Sequence, residues 1–109
     1  MKNIFRILVL MASIFTSANL LLAQWVPQMS NTYNSLNSVS FVNVAMGWVG
    51  GEKGTFLATT DSGKTWSIQP TNTANNINAI YFINSTTGWI VGDSGMIKKT
   101  TNGGTSWTS

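Results

Sequence analysis

The 109-residue chain contains no cysteine and no histidine, and only six basic and three acidic residues. Without cysteine there can be no disulfide framework and no lipoprotein attachment site. Without histidine the usual general base is missing, so a His-assisted serine nucleophile cannot operate. These two absences exclude a disulfide-stapled domain and a serine-type catalytic triad.

Arginine is also nearly absent, since Arg6 is the only one and lies close to the N-terminus. From residue 24 onward, four lysines face three acidic residues, which leaves a net charge of +1. No basic stripe with interleaved aromatic residues is present, which argues against nucleic-acid binding. A sialidase would need an arginine cluster for its substrate carboxylate, and its nucleophile would have to be Tyr33 or Tyr81.

The N-terminal residues have the pattern of a secretory signal peptide. Lys2 and Arg6 precede the apolar run Ile7–Phe15, and Ala23 offers a small residue before Gln24. We therefore predict a signal peptide over residues 1–23, cleaved after Ala23. An uncleaved membrane anchor is the alternative, because an apolar segment of this length nearly spans a bilayer. We expect the processed chain to be secreted, periplasmic or on the surface of a bacterial cell, without stable membrane insertion.

A repeat dominates the remaining sequence. Trp25, Trp66 and Trp107 stand 41 residues apart, and Leu36–Ile68 aligns with Ile77–Ser109 without a gap. A period of about 40 residues, rich in short strand-like runs, is typical of propeller blades. One such unit cannot bury its apolar face without a neighbour.

Each repeat divides into four strand-like segments joined by short turns. Glycine in the hairpins Glu52–Gly54 and Asp93–Gly95 supplies a positive φ without a Cβ penalty. The predicted strands are Asn37–Asn43, Trp48–Gly50, Thr55–Thr60 and a strand from Trp66 in one repeat, and Asn78–Ile83, Trp89–Val91, Met96–Thr101 and a strand from Trp107 in the next. The sequence therefore predicts an all-β fold with two four-stranded antiparallel β-propeller blades, residues 36–69 and 70–109, the second truncated at the chain end.

Trp25 continues the same series toward the N-terminus. It predicts that Trp25-Val26 is an orphan outer strand, followed by a linker, within residues 24–35. Propellers usually close with about four to eight blades, so we expect this chain to be part of a larger propeller. Further blades of the same chain, or self-association, would supply the rest.

A turn motif closes each repeat. Thr59–Trp66 matches the Asp-box pattern Ser/Thr-x-Asp-x-Gly-x-Thr-Trp, and Thr100–Trp107 is a weaker copy with Asn and Ser replacing Asp and Thr. Short polar side chains accept turn N–H groups, glycine takes the left-handed position and tryptophan covers the turn. Asp61 could instead be a catalytic carboxylate or a metal ligand, but a repeated motif favours a structural role. The predicted structural residues are Thr59, Asp61, Gly63, Thr65, Trp66, Thr100, Asn102, Gly104, Ser106 and Trp107.

Other candidate sites carry weaker signals. Gly92–Gly95 spells the Gly-Asp-Ser-Gly of chymotrypsin-like proteases, but its repeat partner Gly51–Gly54 indicates a hairpin. A glycosidase needs two facing carboxyl groups, for which Glu52 and Asp93 occupy equivalent turns. The Ser-, Thr- and Asn-rich loops 28–36 and 69–76 could bind a sugar or a protein, or serve only as connections. We predict no catalytic residue, no cofactor and no metal site.

Together, the Gly-Trp, Gly-Asp-x-Gly and Thr-Thr-x-x-Gly-x-x-Trp motifs resemble the photosystem II stability/assembly factor-like repeat family, seven-bladed propellers of the Asp-box (BNR) superfamily. The likeness covers Trp25–Ser109. It implies a propeller with an assembly or binding role, and does not imply a photosynthetic host. The family's arginine-rich binding patch has no counterpart, because residues 24–109 contain no arginine.

We therefore predict an exported, non-enzymatic scaffold that mediates protein or surface-glycan binding or assembly. The alternative is the N-terminal part of an Asp-box glycoside hydrolase whose catalytic residues lie on other blades. Carboxylates facing the axial cleft of such blades would favour the hydrolase.

Overall fold

A computed structural model describes residues 23–109, which form two antiparallel sheets. The predicted signal peptide, residues 1–23, lies outside the described residues except for Ala23. No helix within the described part of the chain is long and apolar enough to cross a membrane.

The first sheet, blade 1, has four strands in chain order: β1 (Leu36–Phe41), β2 (Gly47–Gly51), β3 (Phe56–Thr59) and β4 (Ser67–Ile68). All residues of β2 are buried, because this strand lies between β1 and β3 and one of its faces packs against blade 2. The short β4 pairs only with Leu57 and Ala58 of β3.

The second sheet, blade 2, has three strands: β5 (Ile77–Phe82), β6 (Gly88–Gly92) and β7 (Met96–Thr100). Its fourth strand was predicted to start at Trp107 and is reduced to one antiparallel bridge, in which Lys99 and Thr108 exchange both backbone hydrogen bonds. The all-β blade architecture is therefore confirmed, with a shorter outer strand in blade 2.

The hairpins joining β2 to β3 and β6 to β7 have the same backbone conformation. Lys53 and Gly54 have φ values of 56° and 70°, and Ser94 and Gly95 have 62° and 71°. Positive φ at both central residues is the requirement of a type I′ turn, whose twist matches that of the flanking strands. The sequence indicated a left-handed residue only at the glycines.

The hydrophobic core lies between the two blades. The indole ring of Trp48 stacks on the phenyl ring of Phe82 with 3.7 Å between centroids. A Cβ atom at Gly50 would lie 2.6 Å from Ile77 Cγ2, so only glycine permits this close approach of β2 to β5. The buried members of the core are Trp48, Phe56, Ile77, Ile80, Phe82, Ile90 and Trp107.

Hydrogen bonds also join the two blades. The backbone N–H groups of Ile80 and Phe82 in β5 donate to the hydroxyl oxygens of Ser38 and Ser40 in β1, at 3.1 and 3.2 Å. The side-chain amide of Asn37 donates to the carbonyl of Ile77 at 2.9 Å. β5 is an edge strand of its sheet, so these bonds give its outward-facing backbone groups partners from blade 1.

Trp25 and Val26 are not hydrogen-bonded into either sheet, and the Trp25 side chain is fully exposed. A strand is defined by the ladder it forms, and no described strand lies beside this segment. The orphan strand therefore stays a prediction that depends on a partner outside the described residues.

Candidate functional site

The Thr59–Trp66 turn, here called turn A, is held by the carboxylate of Asp61. Its Oδ1 atom accepts hydrogen bonds from the Thr59 hydroxyl at 2.8 Å and from the Thr65 N–H at 2.9 Å. Its Oδ2 atom accepts from the Thr65 hydroxyl at 2.6 Å. Both carboxylate oxygens are thus engaged within the turn, and Gly63 takes the left-handed position with φ of 85°.

These donors stabilise the charged carboxylate. The hydroxyl of Thr65, then its N–H group, then the hydroxyl of Thr59 lower the pKa of Asp61 from 3.8 to about 2. Hydrogen bonds to the ionised form have this effect because protonation would break them. A group with such a low pKa is ionised at neutral pH and is a poor general acid.

The Thr100–Trp107 turn, here called turn B, has the same hydrogen-bond pattern with an amide. Asn102 Oδ1 accepts from the Thr100 hydroxyl and the Ser106 N–H, both at 2.9 Å. Asn102 Nδ2 donates to the Ser106 hydroxyl at 2.8 Å. Gly104 has φ of 92°. A neutral amide therefore occupies the place of the Asp61 carboxylate without a change in turn geometry.

The two turn tryptophans have different surroundings. Trp107 is 9% exposed and its indole ring meets the edge of Phe56, in the other blade, with 5.1 Å between centroids. Trp66 is half-buried, contacts Phe41 edge-on at 6.0 Å and donates from Nε1 to the Gln28 Oε1 atom at 3.3 Å. The buried Nε1 atom of Trp107 has no hydrogen-bond partner among residues 23–109.

The remaining carboxylates lie in the hairpins. The carboxylate of Asp93 accepts hydrogen bonds from the side-chain amides of Asn76 and Asn78, each at 3.0 Å. Glu52 precedes strand β3, whereas Asp61 follows it, so these two carboxylates lie at opposite ends of one strand. Ser94, in the protease-like Gly-Asp-Ser-Gly, is one of the two left-handed residues of its hairpin. Within residues 23–109, no group of three or more metal-ligating side chains converges.

The loops before β1 and β5, residues 28–36 and 69–76, make different side-chain contacts. Thr71 in the 69–76 loop is buried and its hydroxyl donates to the carbonyl of Gly54 at 2.9 Å. In the 28–36 loop, Tyr33 is fully exposed. Gln28 lies over turn A and accepts a hydrogen bond from Trp66, whereas its repeat counterpart Gln69 donates to the Ser67 hydroxyl. Since the two glutamines hold equivalent positions in the repeat, the sequence pattern gave no signal for the Gln28 contact.

Two antiparallel sheets, of four and three strands, stack face to face and each carries the same turn after its third strand, which is the arrangement of neighbouring blades in a β-propeller. A model of the photosynthesis system II assembly factor YCF48 family matches residues 17–109, which is more than half of the chain. The chain belongs to this family.

Two solved structures are similar to this chain. The first is YCF48 bound to a D1 peptide, with 31% sequence identity, a TM-score of 0.64, and coverage of 71% of this chain and 26% of that one. The second is YCF48 from Cyanidioschyzon merolae, with 26% identity, a TM-score of 0.61, and coverage of 71% and 24%. The chain thus spans about a quarter of their length. A search of curated proteins gives no match.

Proposed function

We propose that the chain is an exported, non-enzymatic β-propeller scaffold that binds a polypeptide segment of a partner protein. The observation that supports this proposal most strongly is that the chain belongs to the YCF48 family, one of whose solved structures holds a D1 peptide. The signal-peptide pattern of residues 1–23 supports export. The low net charge points to recognition through hydrogen bonds and aromatic contacts rather than through an arginine patch.

The geometry of the carboxylates supports a non-enzymatic role. Asp61 is held ionised by three donors inside its own turn, and Asp93 accepts from two asparagines. A glycosidase needs two carboxyl groups that face each other across a cleft, one of them with a raised pKa. No observation on the described residues favours the hydrolase alternative, whose catalytic groups would lie on other blades.

The exposed aromatic side chain of Tyr33 is the candidate contact for a partner. It is fully exposed in a loop at the blade edge, and tyrosine is enriched among the residues that dominate interface energies. A surface glycan could also stack on this ring. We favour a polypeptide, because the family relative binds one.

The test is a titration of the purified full-length chain with a labelled D1 peptide and with its scrambled sequence, beside a glycan array. We expect saturable binding of the peptide that Tyr33→Ala weakens and that Val44→Ala, a change at an exposed turn residue, leaves unchanged. Glycan binding without peptide binding would contradict the proposal. Turnover of fluorogenic glycosides by the chain would favour the hydrolase.

A further inference from the structure

Turn B contains the only Asn-Gly pair of the chain, Asn102-Gly103, and Asn102 is exposed. In such a pair the backbone nitrogen of the glycine, after losing its proton, can attack the side-chain Cγ atom of the asparagine, because no Cβ atom on the glycine hinders the approach. The Cγ–Nδ2 bond then breaks and ammonia leaves, which closes a five-membered succinimide ring. One water molecule opens that ring and leaves either aspartate or isoaspartate at this position.

The closed form of turn B engages both reacting groups in hydrogen bonds. Asn102 Nδ2, in the leaving amide, donates to the Ser106 hydroxyl at 2.8 Å, and Oδ1 accepts from the Thr100 hydroxyl and the Ser106 N–H, both at 2.9 Å. The Gly103 N–H donates to the carbonyl of Thr86 at 2.8 Å. Attack therefore requires that the Asn102 side chain leaves its partners and that the Gly103 N–H leaves Thr86.

Opening of turn B also disturbs the contact between the blades. Trp48 of blade 1 donates from Nε1 to the carbonyl of Gly103 at 3.1 Å. The Phe56 ring lies so close to Gly104 that a Cβ atom there would be 2.5 Å from a ring carbon, and the same ring meets Trp107 edge-on. Because these contacts hold the turn closed, the rate of succinimide formation reports how often turn B opens.

Turn A shows which product the turn accepts. Asp61 holds the place of Asn102, and its Oδ2 atom accepts from the Thr65 hydroxyl at 2.6 Å, where Asn102 Nδ2 donates to Ser106. An aspartate in turn B therefore needs only a rotation of the Ser106 hydroxyl, which then donates instead of accepting. Isoaspartate inserts a methylene group into the backbone and changes the spacing between Thr100 and Ser106 on which these bonds depend.

The position stays open to water when blades are stacked. Turn A belongs to blade 1, one face of which is covered by blade 2, yet Ser62 and Thr65 beside Asp61 are exposed. Asn102 holds the position equivalent to Asp61, in a turn that already contacts blade 1. Its access to water therefore does not depend on what covers the other face of blade 2.

We propose that Asn102-Gly103 is a site of spontaneous deamidation that the closed turn B protects, and that the aspartate product re-forms the turn as a second Asp-box like turn A. The reaction adds a negative charge at the edge of the interblade core and leaves the turn geometry unchanged. The isoaspartate product, by contrast, prevents the turn from closing. A transient opening of turn B is thereby recorded as a covalent change.

Mass spectrometry of the full chain, incubated at mildly alkaline pH in heavy-oxygen water, measures the reaction, because ring opening places a heavy oxygen on the product. We expect deamidation of Asn102 to be roughly tenfold or more slower in the native chain than in urea, since several hydrogen bonds must break first. Gly103→Ser should slow the reaction in urea, because a Cβ atom hinders the attack. Its counterpart Ser62, with φ of 66°, shows that the turn accepts serine there. Equal rates in the native chain and in urea would overturn the proposal, as would label in urea mainly at other asparagines.

A second variant tests the bonds of the turn itself. Ser106→Ala removes the partner of Asn102 Nδ2 and should raise the native rate roughly threefold or more, with an unchanged rate in urea. Thr101→Ala is the matched control, an exposed neighbour whose hydroxyl takes no part in these bonds. After refolding, the aspartate product should melt at the temperature of the Asn102→Asp variant and the isoaspartate product at a lower one. A native rate that Ser106→Ala leaves at the wild-type level, or two products that melt together, would contradict the proposal.

Discussion

Turn A and turn B share a backbone conformation and a hydrogen-bond pattern, yet their tryptophans are in different environments. Trp107 lies between two blades, against Phe56 and Phe82. Trp66 has Phe41 on one side and only the side chain of Gln28 on the other. The motif therefore determines where the indole points, and the neighbouring blade determines how much surface it buries.

The better-packed tryptophan has the poorer hydrogen bonding. Trp66 Nε1 donates to Gln28, whereas the buried Nε1 of Trp107 has no partner in the described part of the chain. An unpaired buried donor costs about 1–3 kcal/mol. Burial of a large aromatic side chain stabilises by a similar or larger amount. Packing against Phe56 thus offsets the lost hydrogen bond at turn B.

The largest effect expected from this difference comes from truncating the tryptophans. Trp107→Ala should lower the free energy of unfolding by about 3–5 kcal/mol, because it opens a cavity in the core between the blades. Trp66→Ala should cost roughly half as much, since its ring is only half-buried. Urea unfolding of the full-length variants measures both. Equal losses would show that a neighbour absent from the described residues covers Trp66.

The two hairpin glycines give a second comparison between the blades. Gly54 and Gly95 have nearly the same φ, 70° and 71°, but a Cβ atom at Gly54 would lie 1.9 Å from the carbonyl oxygen of Thr73. A Cβ atom at Gly95 would have no atom within 4 Å. The difference arises because the 69–76 loop covers the blade 1 hairpin.

Alanine at both positions separates backbone strain from this contact. Gly95→Ala should cost about 1–2 kcal/mol, the strain of a left-handed alanine. Gly54→Ala should cost about 1–3 kcal/mol more, because the loop must move away. Thermal unfolding of the two variants gives the values. If the two variants lose the same free energy of unfolding, the close approach of Thr73 to the hairpin does not contribute to the cost of the Gly54 substitution.

The repeat and its turns allowed the strands to be located within a few residues, because spacing and glycine positions are local properties of the sequence. The 41-residue period aligned Phe56 with Ile97 and Gln28 with Gln69, but it could not show that Phe56 covers one turn and Gln28 the other. These contacts depend on which surface lies next to each blade. For the same reason, the pattern indicated Trp25-Val26 as a strand but could not supply its partner.

The smallest expected effect compares the carboxylate of turn A with the amide of turn B. The folded-state pKa of Asp61, about 2, is below its ordinary value of 3.8, so the unfolded chain binds more protons between these values. The stabilisation from ionised Asp61 is therefore present above about pH 4 and is lost as the pH falls toward 2. Turn B has no ionisable group in this position.

Exchanging the two residues tests this assignment. Asp61→Asn should flatten the fall in melting temperature between about pH 4 and pH 2, since Asn102 shows that the turn geometry accepts an amide. Asn102→Asp should add a fall in the same window, because the Ser106 hydroxyl and N–H would then stabilise a carboxylate as Thr65 does in turn A. Melting curves of both variants and the double exchange, measured across that window, give the result. If Asp61→Asn leaves the fall in melting temperature at acid pH unchanged, then other carboxylates cause that fall and turn A has no part in it.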